Sequence, residues 1–199
     1  MYCLAIDDSL KNKIKELNYI PVGLGDNKFS EDWLRDSTGK NISQKNKYYG
    51  EYTFHYWLWK NYLHKIQTPW IGFCQYRKFF VKETNNNKDI NFEKLKDLLI
   101  LEIEKKNEDY DCILGSKFSV ENYKFSKIFK NYLSEFVLNP SLFYNKKKRN
   151  LKLHFDLYHG KGNLDKAISL LDEHNKDDFK NYKKRKNLFH PHNMLIGKT

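Results

Sequence analysis

Short apolar runs alternate with helix-periodic segments from the first residue onward. Residues 2–6 form an apolar run that reads as a first strand. Asp7, Asp8 and Ser9 follow, then Leu10, Ile14 and Leu17 at helical spacing, with Asp8 or Ser9 as the capping residue. Residues 19–22 read as a second strand and Gly23 to Gly25 as a turn. A strand–helix–strand opening predicts a parallel sheet. A short aromatic stretch at 29–34 leads into residues 36–46, which carry no hydrophobic period and are rich in Asn, Ser, Thr and Gly. That segment is a loop. Its short polar side chains suit either a solvated connector or a ligand loop.

Residues 48–66 show the longest helical pattern, with Tyr52, His55, Tyr56, Trp59 and Leu63 on one aromatic face. Aromatic residues fill cores more often than they bind ligands, so this face is expected inside. Glu51 and His55 lie four apart. They suit acid–base work, but a structural hydrogen bond at a helix start is the favoured reading. Pro69 then precedes the apolar run 70–74, a buried strand that ends in Gln75, Tyr76, Arg77 and Lys78. Polar groups at the carboxyl end of a buried strand are where open α/β sheets bind ligands. Arg77 there is either a surface ion-pair partner or a clamp for a diphosphate.

Further along, residues 83–89 read as a polar loop, 92–103 as an amphipathic helix and 110–114 as a strand. Asp109-Tyr110-Asp111 has the spacing of a metal-holding D-x-D motif but precedes its strand, so its position makes it structural. Residues 120–130 and 131–144 read as helical, broken near Asn139-Pro140. Lys146 to Arg149 form a basic cluster, suited to a solvated loop or to an anionic lipid or phosphorylated acceptor. Helices are expected at 164–171 and 179–186. His154, Asp156, His159, His190 and His192 match no zinc spacing and are read as satisfied or substrate-contacting groups. The ATPase and dinucleotide fingerprints are absent.

Composition changes this picture only in part. The 199 residues are 40% apolar and 16% aromatic, enough for one domain with a real core. The net charge of +11 favours anionic partners. Arginine stands only at positions 35, 77, 149 and 185, which argues against specific nucleic-acid reading and for general anion or membrane-surface affinity. Cys3, Cys74 and Cys112 sit in strand-like runs and fit buried, reduced thiols of a cytoplasmic protein. With no signal peptide and no membrane-length apolar run, the expectation is a cytoplasmic chain with peripheral contact at the inner membrane face.

Three blocks carry a family likeness. Residues 36–46, then Gly50-Glu-Tyr-Thr-Phe-His-Tyr-Trp-Leu-Trp-Lys-Asn61, then Trp70-Ile-Gly-Phe-Cys-Gln-Tyr-Arg-Lys78 resemble a bacterial domain family long of unknown function, associated with capsular-polysaccharide glycosyltransferases. Its blocks read D-x-T-G-x-N-I-S-x-K-N, E-L-T-x-x-Y-W-x-W-K-N and Y-I-G-x-x-H-Y-R-R. Residues 159–165 and 191–194 look like its later blocks. The resemblance implies an α/β, GT-A-like fold, with a Rossmann-type, mostly parallel sheet flanked by helices, in one domain over 1–199. It implies a glycosyltransferase using a nucleotide-sugar donor and a glycan or lipid-linked acceptor in surface-polysaccharide synthesis. Gln75 replaces the family's His, so that residue's role does not carry over. The chain stops at Thr199 where family members continue, which implies a truncated product or the first domain of a longer protein.

On that resemblance the donor would be held by Asp36, Asn41, Ser43, Lys45, Asn46, Tyr76, Arg77, Lys78 and Asn193. The chemistry then asks Arg77, with Lys45 or Lys78, to neutralise the departing diphosphate, and, if transfer inverts the anomeric centre, Glu51, His159 or His192 to serve as base. No cofactor is expected, and metal-independent transfer is favoured over Mn²⁺ or Mg²⁺ dependence. The alternatives are a non-catalytic glycan- or nucleotide-binding domain of a capsule-synthesis protein and, more weakly, a basic nucleic-acid-binding protein.

Overall fold

The computed structural model describes residues 1–82, 91–121, 133–185 and 187–199. The loop expected at 83–89 and most of the helix expected at 120–130 lie outside the described residues. The chain divides into two compact units, one of residues 1–115 with 192–199 and one of residues 116–191.

The first unit is built on a mixed, mostly parallel sheet. Its strands are β1 (Tyr2–Ala5), β2 (Ile20–Gly23), β3 (Leu34–Arg35), β4 (Trp70–Gln75) and β5 (Cys112–Leu114), joined by β8 (Leu195–Lys198), in the order β3-β2-β1-β4-β8-β5. β3, β2, β1 and β4 are mutually parallel, and β8 runs antiparallel to β4 and β5. The intervening β6 (Phe118–Ser119) and β7 (Leu188–Phe189) pair with each other in the second unit.

Side-chain alternation divides the core between the two sheet faces. Cys3, Ala5 and Cys74 point to one face, where Ile14 and Leu17 from the α1 region (helix Lys11–Glu16) meet them. Tyr2, Leu4, Val22, Ile71 and Phe73 point to the other, against Phe54, Trp57 and Leu58 of α3 (Tyr52–Asn61). Each fully buried Val, Leu, Ile or Phe among them contributes about 1.5–3 kcal/mol. Asp7, not Asp8 or Ser9, opens the first helical segment: its carboxylate accepts from the Ser9 N–H at 2.8 Å. Of the thiols, Cys112 is exposed, while Cys3 and Cys74 lie opposite each other on β1 and β4. A hydrogen bond with Cys3, together with burial, pushes the Cys74 thiol far up, so it stays protonated.

The expected helix over 48–66 is three pieces: α2 (Asn46–Tyr49), α3 and a 3₁₀ turn at Leu63–Lys65. Gly50, at φ +53°, makes the break, in a conformation that side chains disfavour. The aromatic face is also partly turned outward relative to expectation. Thr53, Phe54, Trp57 and Leu58 are buried, whereas Tyr52 and Trp59 face solvent. The helix from residue 92 is shorter than expected, α4 spanning Phe92–Leu98 with Asn91 as its cap.

In the second unit α5 (Leu133–Leu138) and α6 (Ser141–Tyr144) are separated at Asn139-Pro140, as the sequence suggests. Three helices follow: α7 (Leu151–His159), α8 (Asn163–Ser169) and α9 (Glu173–Arg185). Phe136 and Leu157 centre a small core with Leu142 and Leu153. Asp156 is buried, accepting from Gly162 N at 2.9 Å and Lys152 Nζ at 2.5 Å. Arg149, placed by sequence in a surface cluster, is instead buried and donates to the carbonyls of Leu142 and Glu121.

Candidate functional site

The strand order marks the site. From β1 the chain steps outward to β2 and β3, then returns through α3 to lay β4 on the other side of β1. The reversal leaves a crevice between the carboxyl ends of β1 and β4, the place where open α/β sheets bind ligands. Ile6 and Asp7 leave β1 there; Tyr76 and Arg77 leave β4. β8 adds to the same edge for a separate reason. Because it runs antiparallel to β4, its leading residues His192, Asn193 and Met194 arrive beside the end of β4.

On the α1 side of this crevice lies a cavity of about 440 Å³. Leu10, Ile14, Leu17, Phe79 and Phe92 give it apolar walls; Asp7, Ser9, Lys13 and Arg77 give it polar groups. Its size and its few polar groups are those of a small-molecule site. The Arg77 guanidinium lies 4.8 Å from the Tyr76 ring centroid. Among the described residues it has no ion pair, so its fork of donors is available.

On the α3 side of the same edge, side chains from three elements converge on Glu51. Its carboxylate accepts from Gln75 Nε2 at 2.6 Å and from Asn193 Nδ2 at 3.4 Å. The Tyr52 hydroxyl donates to Asn193 Oδ1 at 3.0 Å, which fixes the amide's orientation. Lys78 Nζ and His192 Nδ1 are 2.9 Å apart. Gln75, at the end of β4, thus has a definite task here: it holds the Glu51 carboxylate.

His55 does not share Glu51 in the way the sequence suggests. Its ring stacks on Phe73 at 4.5 Å, and its Nε2 is buried without a hydrogen-bond partner among the described residues. Burial lowers its pKa from the ordinary 6.5, against the opposing pull of Glu51. The folded ring therefore stays neutral where the unfolded ring takes up a proton. Stability from this group is complete above pH 6.5 and is lost as the pH falls toward the folded pKa. We expect His55→Phe to flatten the stability profile between pH 7.5 and 5.5, by up to about 1.4 kcal/mol per pH unit. Urea midpoints of the two proteins at both pH values check this; parallel profiles would refute it.

The 36–46 loop is tied into the fold by its own side chains. Asp36 is wholly buried and accepts from Thr53 Oγ1 at 2.5 Å and from Gly25 N at 2.9 Å. Burial raises its carboxyl pKa, with the Thr53 and Gly25 hydrogen bonds opposing. Thr38 Oγ1 accepts from Trp57 Nε1, and Asn61 bonds both the N–H and the carbonyl of Lys40. Asn41 donates to the Ser37 and Gly39 carbonyls and accepts from Ser43 N and Oγ. Asn46 donates to the Gly50 carbonyl and to Thr53 Oγ1. Lys45 is exposed.

The other sequence candidates stand on other elements. His159 ends α7 in the second unit, its ring 5.1 Å from Phe155. His154 packs among Phe118, Tyr158 and Phe189. β5 runs parallel to β4, so Asp109-Tyr110-Asp111 precedes it at the opposite edge from the crevice; the Asp111 carbonyl accepts from Lys198 N. Among the described residues no three His, Cys, Asp or Glu side chains are grouped to hold a metal, and no helix is long and apolar enough to cross a membrane. Sequence reasoning missed Asp7, Lys13 and Tyr52. Asp7 was legible as the first polar residue after a strand, but the pairing of β1 with β4 was not.

An α/β sheet with a cavity at its topological switch point and a hydrogen-bonded Glu51 carboxylate beside it has the features of a small-molecule site. The chain belongs to the family described as "Domain of unknown function (DUF4422)", which matches residues 9–199. It is similar to a solved structure described as "WbbM bifunctional glycosytransferase apo structure", at 22% identity and a TM-score of 0.47. The match covers 91% of this chain and 30% of that one, so this chain spans under a third of that protein's length. No curated protein matches the chain.

Proposed function

We propose that the chain is a GT-A-type glycosyltransferase that takes a nucleotide-sugar donor in the cavity between β1 and β4, in bacterial capsular or other surface-polysaccharide synthesis. The observation that carries the reading is the cavity itself, with apolar walls suited to a planar base and with Arg77 and Lys13 lining it. Glycosyl transfer needs charge stabilisation on the departing nucleoside diphosphate, and cationic side chains supply it without a metal. Glu51 is the candidate base, since Gln75 and Asn193 orient a carboxylate at the same edge. Lys78 and His192 add positive charge or proton transfer beside it. The capsular setting rests on the sequence blocks.

A thermal-shift panel of UDP, GDP, CMP and dTDP with their common sugars, each with EDTA and with Mn²⁺, tests this. Ligand at about 100 times its Kd stabilises by about 2.7 kcal/mol, several degrees for a chain of this size. We expect one nucleotide to raise the melting temperature with EDTA present. A shift seen only with Mn²⁺ would overturn metal independence. A flat panel would favour a non-catalytic binding domain.

A further inference from the structure

Of the aromatic stripe that the sequence assigns to the core, Tyr52 and Trp59 lie on the surface and Tyr56 is half-buried. On α3 the buried residues Thr53, Phe54, Trp57 and Leu58 occupy one side. Tyr52, Tyr56 and Trp59 fall within roughly 60° of one another on the opposite side, at about 100° per residue. Tyr52 is 53% exposed and Trp59 60%; Tyr48, on the preceding α2, is 80% exposed. Contiguous large aromatic rings in water mark an interaction surface more often than an accident of folding.

We propose that this face binds the acceptor glycan, with sugar rings stacked on Trp59, Tyr56 and Tyr52. The faces of a pyranose ring are rows of C–H bonds, which meet the negative π face of an aromatic ring favourably, while its hydroxyls point outward to polar groups. The stripe offers both. Tyr56 and Trp59 stand edge to face at 6.1 Å; Lys60 lies over one face of the Trp59 ring, so a sugar stacks on the other face or displaces the ammonium, which then serves its hydroxyls. From Tyr52 to Trp59 the helix rises roughly 10 Å, about two sugar rings. The stripe is also continuous with the candidate site, because the Tyr52 hydroxyl bonds Asn193, which in turn bonds Glu51. A glycan laid along α3 would bring its terminal hydroxyl to the Glu51 end. The acceptor role rests on the transferase reading; glycan binding itself does not.

The test is saturation-transfer NMR and calorimetry on the full chain, with hexasaccharides of α- and β-linked glucose, galactose and N-acetylglucosamine as probes. At least one is expected to bind at millimolar concentration. Trp59→Ala is expected to weaken it tenfold or more and Trp59→Phe by about threefold, with nucleotide-induced thermal shifts unchanged in both. Wild-type glycan affinity in Trp59→Ala, or no binding by any probe, would overturn the proposal. So would a dimer in light scattering that Trp59→Ala converts to monomer, since the stripe would then be a self-association surface. Glycan binding that depends on Trp59 alongside a flat nucleotide panel would sink the transferase reading and leave the glycan surface standing.

Discussion

Arg77→Ala is expected to lower nucleotide-sugar turnover by about 10²- to 10³-fold while leaving the melting temperature within a degree or two of the parent. The rate figure follows from losing one preorganised donor to a developing negative charge, about 2.7–4 kcal/mol of transition-state stabilisation. The unchanged stability follows from where Arg77 sits. It is exposed, its guanidinium rests on Tyr76, and no carboxylate among the described residues pairs with it. Exposed side chains of that kind change folding free energy by under about 0.5 kcal/mol. Arg77→Lys keeps the charge but not the planar fork, so it should recover only part of the rate. Donor hydrolysis without acceptor, followed by nucleotide release, is the assay, because it does not require the acceptor to be known. Full turnover in Arg77→Ala would remove Arg77 from the chemistry and shift attention to Lys13, which also lines the cavity.

How far this site was legible in the sequence differs between its two halves. The β4 half was readable because it is local: an apolar run of strand length ends in Gln75-Tyr76-Arg77-Lys78, and the end of a buried strand is a ligand position wherever the strand lies in the sheet. The β1 half was not, because nothing within residues 1–25 says that β4 will pair with β1 at Leu4 and Gln75. That pairing joins segments about seventy residues apart, and it creates the switch point and the cavity together. Asn193 and His192 depend on another non-local fact, the antiparallel insertion of β8 between β4 and β5. The aromatic face of α3 failed for a different reason. Both sides of this helix are aromatic, so periodicity fixes the spacing of the stripes but not which one meets the sheet. Phe54 and Trp57 prevail by stacking on each other and meeting Tyr2 and Phe73 of the sheet.

The 36–46 loop separates two roles that the sequence leaves joined, and Asp36 tests them. We expect Asp36→Ala to cost about 3 kcal/mol, roughly 6–12 °C in melting temperature. The Gly25 N–H would be left buried without an acceptor, and the charged hydrogen bond from Thr53 would be lost. The raised pKa of Asp36 carries the opposite sign. A carboxyl whose folded pKa lies above its ordinary 3.8 weakens the fold when ionised, and that penalty fades as the pH falls through the folded pKa. A neutral acceptor therefore suits the site better than no acceptor. In Asp36→Asn the amide oxygen can still take the Gly25 N–H, and Thr53 can turn its hydroxyl to the Gly50 carbonyl, already 3.0 Å away. We expect this variant to lose about 1 kcal/mol and to bind the nucleotide of the thermal-shift panel as the parent does, because Asp36 holds β2, the loop and α3 together from inside. Equal destabilisation by Ala and Asn would refute the neutral-acceptor account. A folded Asp36→Asn that no longer binds nucleotide would return Asp36 to the donor site.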